Sequence, residues 1–210
     1  MFATYKDILS DFGLSDSYVI NIYRYGSRVY GTSTPASDED FIIVVKNQDH
    51  DRDSLDSSYR KINATIYSES SFQDKLNQHK ISAIECYSLP KDLCVKHAKS
   101  FMFNLNKELL RSSISEKASN SWVKAKKKFE VEKDKDIYIG KKSLFHSLRI
   151  IDFGIQIALN NKITDFSSSN HIWFEIFNNE SPNYKDYKNK YQSLFNQRMT
   201  QFRKLAPKEI

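Results

Sequence analysis

Residues 25–45 read YGSRVYGTSTPASDEDFIIVV, and this stretch decides how the first part of the chain folds. It joins a glycine–serine turn, Gly26-Ser27, to an acidic pair, Asp38 and Asp40, that leads directly into an apolar run. In an extended chain, side chains two positions apart point the same way, so both carboxylates would face one site. Two carboxylates held so close resist joint ionisation unless a cation lies between them. The stretch therefore predicts a cation site at the start of a buried strand.

The chemistry of this stretch has a metal half and a phosphate half. A hard divalent ion such as Mg²⁺ suits carboxylate oxygens, and it is usually shared with the phosphates of a substrate. A glycine that follows a strand lets the main chain approach a ligand closely, and the amides after it can point at phosphate oxygens. The Gly-Ser turn upstream of the acidic pair therefore indicates a phosphate-bearing ligand.

The combined motif resembles that of the DNA polymerase beta-like nucleotidyltransferase superfamily. The pattern of that family is Gly-Ser, a short helical turn, and Asp-x-Asp on the next strand. The fuller form in this chain, GSRxYGTxxxxSDxD, is most similar to predicted nucleotidyltransferases of phages and bacteria, some of which are associated with RNA repair. An acidic turn before an apolar strand is common by itself, but it does not account for the preceding glycines and serine.

The resemblance implies a reaction and a set of residues. A nucleoside monophosphate would pass from a nucleoside triphosphate (NTP) to an acceptor hydroxyl, with release of pyrophosphate, in a site that uses two divalent ions, Mg²⁺ or Mn²⁺. It makes Asp38 and Asp40 catalytic residues and metal ligands. It makes Gly26, Ser27 and Arg28 nucleotide-binding residues, which would hold the phosphates.

The superfamily carries a third carboxylate on a neighbouring strand, and here the chain departs from the pattern. The segment INATIYS, residues 62–68, resembles that strand, in which an aspartate is followed by three residues and a tyrosine. The resemblance therefore puts Asn63 at the third catalytic position. An asparagine can ligate through its carbonyl oxygen, but it cannot accept a proton as a carboxylate would.

Three explanations of this departure stay open. The register differs and Glu69 or Glu85 takes the role, the natural protein is weak or inactive, or the asparagine was introduced to trap a complex. If Asn63 does fill the third position, we expect the nucleotide-side ion to be kept and the chemical step to be slowed. In that case Asn63→Asp should raise the rate of nucleotide transfer.

The apolar pattern changes near Pro90, so we predict an α+β protein with two domains. Residues 1–90 would form the nucleotidyltransferase α/β domain, with a small mixed sheet, and residues 91–210 a basic helical domain. Period-four spacing from Leu93 to Leu109 favours a helix directly after the boundary. Further helical patterns begin after Gly140 and over residues 183–204; strands are predicted over 18–25, 41–45 and 59–67, and a polar loop over 47–58.

A second group of candidate residues lies on the helix after Gly140. Lys142, His146 and Arg149 are spaced i, i+4 and i+7, so they share one face. Lysine and arginine both bind phosphate, and the surrounding segment KKSLFHSLRIIDFG is similar to a segment of the phage and bacterial subgroup. We predict that the three bind the nucleotide. The alternative is the ordinary polar face that every amphipathic helix has.

Charge suggests the partner. Residues 1–90 hold 9 basic and 13 acidic residues, whereas residues 91–210 hold 23 basic and 13 acidic ones. The basic half is a plausible surface for phosphate-rich partners, so we expect the acceptor to be RNA or another nucleic acid. The alternative explanation of the basic excess is that the lysines reflect a compositional bias of the genome and not a binding surface.

Other functions stay open. A protein acceptor is an alternative, as in an antitoxin-like nucleotidyltransferase that modifies a partner. Another is a catalytically weakened module that binds nucleotide or nucleic acid. No apolar run approaches the ~20 residues of a membrane span, and the two cysteines lack zinc spacing. We expect a cytoplasmic protein without membrane contact.

Overall fold

The structure is a computed structural model that describes residues 3–47, 51–57 and 61–208. It divides into two compact units, an N-terminal unit of residues 1–104 and a C-terminal unit of residues 105–210. The division falls later than the predicted boundary at residue 90 because a strand at residues 94–97 pairs with the first strand of the sheet.

The N-terminal unit is a mixed α/β structure. Its elements in chain order are α1 (Tyr5–Phe12), β1 (Val19–Tyr25), α2 (Ser27–Tyr30), β2 (Glu39–Val45), β3 (Arg52–Asp56), β4 (Ile62–Ser68), α3 (Glu69–Asn77), α4 (Ile81–Ser88) and β5 (Cys94–His97). The five strands form one sheet in the order β3-β4-β2-β1-β5. Only the β2–β4 pair is parallel among these strands, so the predicted mixed sheet and the α+β class are confirmed.

Strand alternation gives the sheet two different faces. One face packs against α1, and its core includes Ile43, Val45 and Ile66 together with Ile8 of the helix. On the other face Tyr23 stacks on Phe72 of α3. Because Asp40 alternates with the core residues of β2, its side chain lies on this second face. The sheet therefore holds the acidic motif away from the α1 core.

The edge strand β3 lies where the sequence predicted a loop. Residues 47–58 were expected to be a loop, but residues 52–56 form the edge strand β3. An edge strand that contributes one partly buried apolar side chain, Leu55, shows little apolar alternation, so its pattern resembles a loop. Strand β4 begins at Ile62, and the predicted strand residues 59 and 60 lie outside the described residues.

The segment after Pro90 is also different from its prediction. A single 3₁₀ turn at Lys91–Leu93 is followed by β5 at residues 94–97, and no α-helix begins before residue 107. Phe101 contacts Phe72, and Phe103 contacts His79 and Tyr87, so these rings pack on α3 and α4 from chain without a regular element. The apolar spacing that suggested a helix therefore comes from strand β5 and from a segment without regular structure whose rings pack on α3 and α4.

The C-terminal unit is helical. It contains α5 (Lys107–Glu130), α6 (Ile137–Asn160), α7 (Asn170–Asn178) and α8 (Tyr184–Leu205). Helix α6 is its centre, and a Cβ added at Gly154 would lie 2.8 Å from Ile114 of α5 and 3.0 Å from Phe202 of α8. The glycine therefore allows three helices to pack closely. Among the described residues, no helix is long and apolar enough to cross a membrane.

Candidate active site

The Gly-Ser turn is built around the carboxylate of Asp40. Strand β1 ends at Tyr25, and Gly26 follows with a φ of +75°, a conformation that L side chains rarely adopt. A Cβ added at this glycine would lie 2.1 Å from Asp40 Oδ2, far inside contact distance. The short helix α2 then begins at Ser27. The glycine is therefore required both by the backbone and by the close approach of Asp40.

The strand register brings Asn63 to the acidic pair. Asp40 on β2 is the register partner of Asn63 on the parallel strand β4. The Asn63 Nδ2 donates hydrogen bonds to Asp38 Oδ2 at 3.4 Å and to Asp40 Oδ1 at 3.3 Å. Asp38 is exposed and Asp40 is partly buried. The amide therefore bridges two carboxylates that would otherwise repel each other.

The alternatives to Asn63 contact other groups. Glu69, at the start of α3, forms an ion pair with Lys99. Glu85 on α4 is buried, and its Oε2 accepts a hydrogen bond from the Tyr30 hydroxyl at 3.2 Å. Of the three candidates, Asn63 is the one whose hydrogen bonds to both aspartates are seen.

Arg28 contacts the loop that carries the acidic pair. Its Nη2 donates to the Ser37 carbonyl at 2.7 Å, and its Nε donates to the Asp38 carbonyl at 3.2 Å. Because its guanidinium donates to two main-chain carbonyls, Arg28 holds the loop before β2 in place. Its predicted contact with nucleotide phosphate stays a prediction.

A cavity opens beside this group on the second face of the sheet. Its volume is about 350 Å³, and it is bounded by the sheet and by Ser82 in the first turn of α4. The strand residues that line it are Tyr25, Asp40, Phe41, Ile42, Asp56, Asn63, Ala64, Thr65 and Tyr67. The cavity therefore offers space for a ligand directly next to Asp40 and Asn63.

One tyrosine network next to the cavity was missed by sequence reasoning. Burial, then the charge of Glu85 and contact with Tyr30, raise the pKa of Tyr25 well above its usual value. Tyr25 is the register partner of Asp40 on β1, and its ring meets that of Tyr30 edge to face. Tyr25 directly precedes the Gly-Ser turn, and this position could have indicated from the sequence that it lies near the site. The Tyr30 hydroxyl and Tyr25 therefore lie next to the buried Glu85, beside the site.

The second candidate group lies in the C-terminal unit, on α6. Arg149 is buried, and its guanidinium lies 5.4 Å from the Phe145 ring and 5.6 Å from the Phe153 ring. Its Nη2 lies 2.7 Å from Nδ1 of His146. Lys142 is exposed. The predicted helix face therefore exists, and it brings the imidazole and the guanidinium together.

Burial and the surrounding positive charges keep the His146 ring neutral. Burial, followed by the positive charges of Arg149, Lys117, Lys124 and Lys142, holds the pKa of His146 well below its ordinary value. The ring is therefore neutral, and Nδ1 can accept a hydrogen bond from Arg149. Two of these lysines lie on α5 and were not singled out from the sequence, because helix–helix packing brings them to α6. The result is a cationic cluster, Lys117, Lys124, Lys142 and Arg149.

The donor set of the acidic site fits one divalent ion better than two. Among the described residues, no group of three or more His, Cys, Asp or Glu side chains could hold a metal. Mg²⁺ commonly binds through one or two carboxylates and takes its other ligands from water and substrate phosphates. Asp38 and Asp40 fit that requirement. A second ion would lack the carboxylate that the superfamily pattern supplies at the Asn63 position.

Comparison with known proteins identifies the class of the N-terminal unit. The family model described as "Nucleotidyltransferase domain" matches residues 4–107, just under half of the 210 residues of the chain. Residues 4–107 therefore match a nucleotidyltransferase domain, in agreement with the superfamily that the sequence predicted. Membership of the phage and bacterial subgroup stays a prediction.

Other comparisons add little. Solved structures that resemble the chain include a nucleotidyltransferase-like protein from Exiguobacterium sibiricum 255-15. The two are 10% identical, the match covers 96% of this chain and 72% of that one, and the TM-score is 0.30. At that score the likeness carries no argument. A comparison with curated proteins finds no match.

Proposed function

We propose that this chain transfers a nucleoside monophosphate from an NTP to an acceptor hydroxyl on RNA or another nucleic acid, and releases pyrophosphate. The observation that carries the proposal is the close approach of Gly26 to Asp40 inside a nucleotidyltransferase domain. This contact joins the phosphate half and the metal half of the motif in one place. Asn63 then bridges Asp40 and Asp38.

Each residue of the acidic site has a role in the proposal. Asp38 and Asp40 would hold Mg²⁺ or Mn²⁺, which when bound screens the triphosphate charge and lowers the pKa of the acceptor hydroxyl. Ser27 and the amides that follow Gly26 would donate hydrogen bonds to phosphate oxygens. Asn63 would orient the two carboxylates, because its amide donates to both.

The cationic cluster of the C-terminal unit would bind phosphate groups. Four positive side chains lie around one neutral imidazole, and a polyanion would relieve their mutual repulsion. The rings of Phe145 and Phe153 hold the guanidinium of Arg149 in place. A preoriented guanidinium suits bidentate contact with phosphate oxygens. These contacts support the prediction for Lys142, His146 and Arg149 without testing it.

A groove between α5 and α8 supports a nucleic acid as the acceptor. Its volume is about 540 Å³, and Lys126, Lys185 and Lys188 line it together with Trp122 and Tyr184. Proteins that bind single strands combine a positive groove for the backbone with aromatic rings on which bases stack. The groove, which also includes the acidic Glu130, has an excess of positive charge, and its partly exposed ring is that of Trp122, since Tyr184 is buried.

The test is transfer of label from each α-labelled NTP to pools of RNA, DNA and protein, with Mg²⁺ or Mn²⁺ present. We expect transfer to RNA together with pyrophosphate release, and we expect Asp38→Ala with Asp40→Ala to abolish both. Asp74→Ala is the matched control, because Asp74 is an exposed carboxylate of the same unit that does not line the cavity. Equal transfer by the double variant would contradict the proposal.

A salt series tests the groove separately. Charge neutralisation predicts a log–log slope of about −0.7 per phosphate contact for single strands. Replacing Lys126, Lys185 and Lys188 with glutamine should flatten that slope by about two units, since roughly three contacts are lost. The control replaces three exposed lysines outside the groove, Lys133, Lys135 and Lys162. Equal slopes for the two triple variants would remove the groove from the proposal.

A second function is favoured by one observation. The Asn63 amide already compensates the acidic pair with hydrogen bonds, so the pair is stabilised without a cation. That arrangement suits a module that binds nucleotide or nucleic acid without chemistry. RNA binding that survives Asp38→Ala with Asp40→Ala, in a chain that never releases pyrophosphate, would select this function. Label that appears on protein instead would select the antitoxin-like enzyme.

A further inference from the structure

Four polar side chains form a row across the sheet. Asp56 on β3 is the register partner of Asn63 on β4, which is the partner of Asp40 on β2, which is the partner of Tyr25 on β1. Residues directly opposite one another on paired strands project from the same face. The row therefore carries a carboxylate at each side of Asn63, and they come from different strands.

The residues next to Asp56 and Asn63 show on which face of the sheet this row lies. Leu55, one residue before Asp56, packs against the core under α1, and so does its register partner Ala64. Asp56 therefore projects to the opposite face, and it lines the same 350 Å³ cavity as Asp40 and Asn63. Because β3 and β2 are two strand spacings apart, the two carboxylates are separated by roughly 10 Å at the main chain. Asn63 lies between them on β4, so a reacting group would lie above its side chain in the cavity.

We propose that Asp56 is the proton acceptor for the attacking hydroxyl, and that it replaces the third carboxylate which Asn63 does not provide. The inference rests on the proposed nucleotidyltransferase function. It differs from the superfamily pattern, because the carboxylate comes from the strand beyond the one on which the pattern puts it. Asp56 is exposed at the cavity, so an acceptor strand can reach it from solvent.

The reaction step balances with these groups alone. The acceptor hydroxyl gives its proton to the Asp56 carboxylate as its oxygen forms a bond to the α-phosphorus of the NTP. The bond from that phosphorus to the bridging oxygen breaks, and pyrophosphate leaves with the electron pair. The Asn63 amide has no free base to take this proton, whereas an ionised carboxylate has. A positioned general base typically contributes a factor of about 10² to 10⁴ in rate.

The decisive experiment exchanges the two side chains. Asp56→Asn should lower kcat by about 10²-fold or more and leave the KM for NTP unchanged. The double variant Asp56→Asn with Asn63→Asp should recover to within about tenfold of wild type, because the carboxylate moves one strand across the same cavity. Asp74→Asn is the control and should not change kcat.

A second measurement separates proton transfer from metal binding. Calorimetric titration with Mn²⁺ should give the same affinity for wild type and Asp56→Asn, since Asp38 and Asp40 hold the ion. A tenfold weaker affinity would make Asp56 a ligand and overturn the proton-acceptor role. Circular dichroism should give the same melting temperature for both proteins, which shows that lost activity is not lost folding.

The outcomes separate this inference from the proposed function. A wild type that transfers label, with an Asp56→Asn variant within twofold of it, overturns the inference alone. Failure of the exchanged double variant to recover any activity also overturns it. A wild type that transfers no label to any acceptor overturns the proposed function, and the inference with it.

Discussion

Both units of the chain use a glycine to admit a close neighbour, but the neighbours are of opposite kinds. In the N-terminal sheet, the space at Gly26 is taken by the carboxylate of Asp40, 2.1 Å from an added Cβ. In the C-terminal helices, the space at Gly154 is taken by the apolar side chains of Ile114 and Phe202. The absence of a side chain therefore makes room for a polar site in the N-terminal unit and for apolar packing in the C-terminal unit.

The difference extends to how each unit holds its charges. The sheet places Asp40 and Asn63 by strand register, and hydrogen bonds between neighbours reduce the repulsion. The helical unit collects Lys117, Lys124 and Arg149 around His146, whose ring stays neutral. Both units therefore bring charged side chains of one sign together, an arrangement that is common at functional sites.

The largest effect is expected at Gly26. Gly26→Ala forces a Cβ into the Asp40 carboxylate at a positive φ, so the carboxylate must move. A misplacement of about 1 Å near the chemistry can cost about 10²-fold in rate, and we expect at least that loss of transfer activity. The labelled-NTP assay measures it.

Gly13→Ala is the matched control for this change. Gly13 has a φ of +63°, but an added Cβ there meets nothing within 4 Å. Gly13→Ala should lose about 1–2 kcal/mol of stability from its left-handed backbone. Gly26→Ala should lose more, since its φ of 75° and ψ of −155° lie in a region open essentially to glycine alone, but only Gly26→Ala should lose activity. Equal activity in the two variants would mean that the Gly26–Asp40 contact has no functional consequence.

The next effect concerns the ion pair that joins α6 to α8. Asp152 and Arg198 approach to 2.7 Å with side chains only 14% and 16% exposed. Burial raises the pKa of Asp152, and the guanidinium opposes that shift. Arg198→Met would leave a buried carboxylate without its cation, so we expect a loss of about 3 kcal/mol. Urea unfolding followed by tryptophan fluorescence reports it, because Trp122 and Trp173 both lie in the C-terminal unit.

Lys190→Met gives the comparison for an exposed pair. Lys190 contacts Glu175 at 3.0 Å, and both side chains are about half exposed. Solvent screens such a pair, so the loss should stay below about 1 kcal/mol. If the two methionine variants unfold at the same urea concentration, burial does not strengthen the Asp152–Arg198 contact.

The smallest effect is a pH dependence from His146. Its pKa is lowered in the folded protein by burial and by the neighbouring cations, so the unfolded chain binds the proton more readily. Stability is therefore full above about pH 6.5, the ordinary value, and falls as the pH drops below it, by at most about 1.4 kcal/mol per pH unit.

Urea midpoints at pH 7.5, 6.5 and 5.5 measure this slope. His146→Gln should flatten it, whereas His171→Gln, which changes an exposed imidazole, should not. A wild-type slope that persists unchanged in His146→Gln would assign the acid sensitivity to other groups.

Local signals predicted part of the fold well. Strand β2 begins within the SDED segment and runs through FIIVV, as its apolar composition indicated. Strand β3 was missed because its own composition is polar, and β5 was missed because its pairing partner β1 is distant in the chain. Non-local pairing has no period that a single segment could reveal.

The residues of the candidate site were likewise predicted where a local pattern or a family motif marked them, and missed where packing or strand pairing placed them. The spacing of Asp38 and Asp40 and the resemblance of residues 62–68 to a family strand were enough to bring Asn63 into consideration, and the register puts it between them in hydrogen-bond distance. Asp56 could not be found, because its place depends on a hairpin-like pairing of β3 with β4 in a segment that looked like a loop. Lys117 and Lys124 needed the packing of α5 on α6.

The contact between Gly26 and Asp40 also constrains how the sequence can change over time. No side chain larger than hydrogen fits at the first position while the carboxylate occupies the second. Drift at one position is therefore blocked until the other has changed, and the two should vary as a pair among relatives. Loss of the acid removes one of the two constraints on position 26 and leaves the positive φ, so a residue other than glycine there should mark lineages in which catalysis has been abandoned.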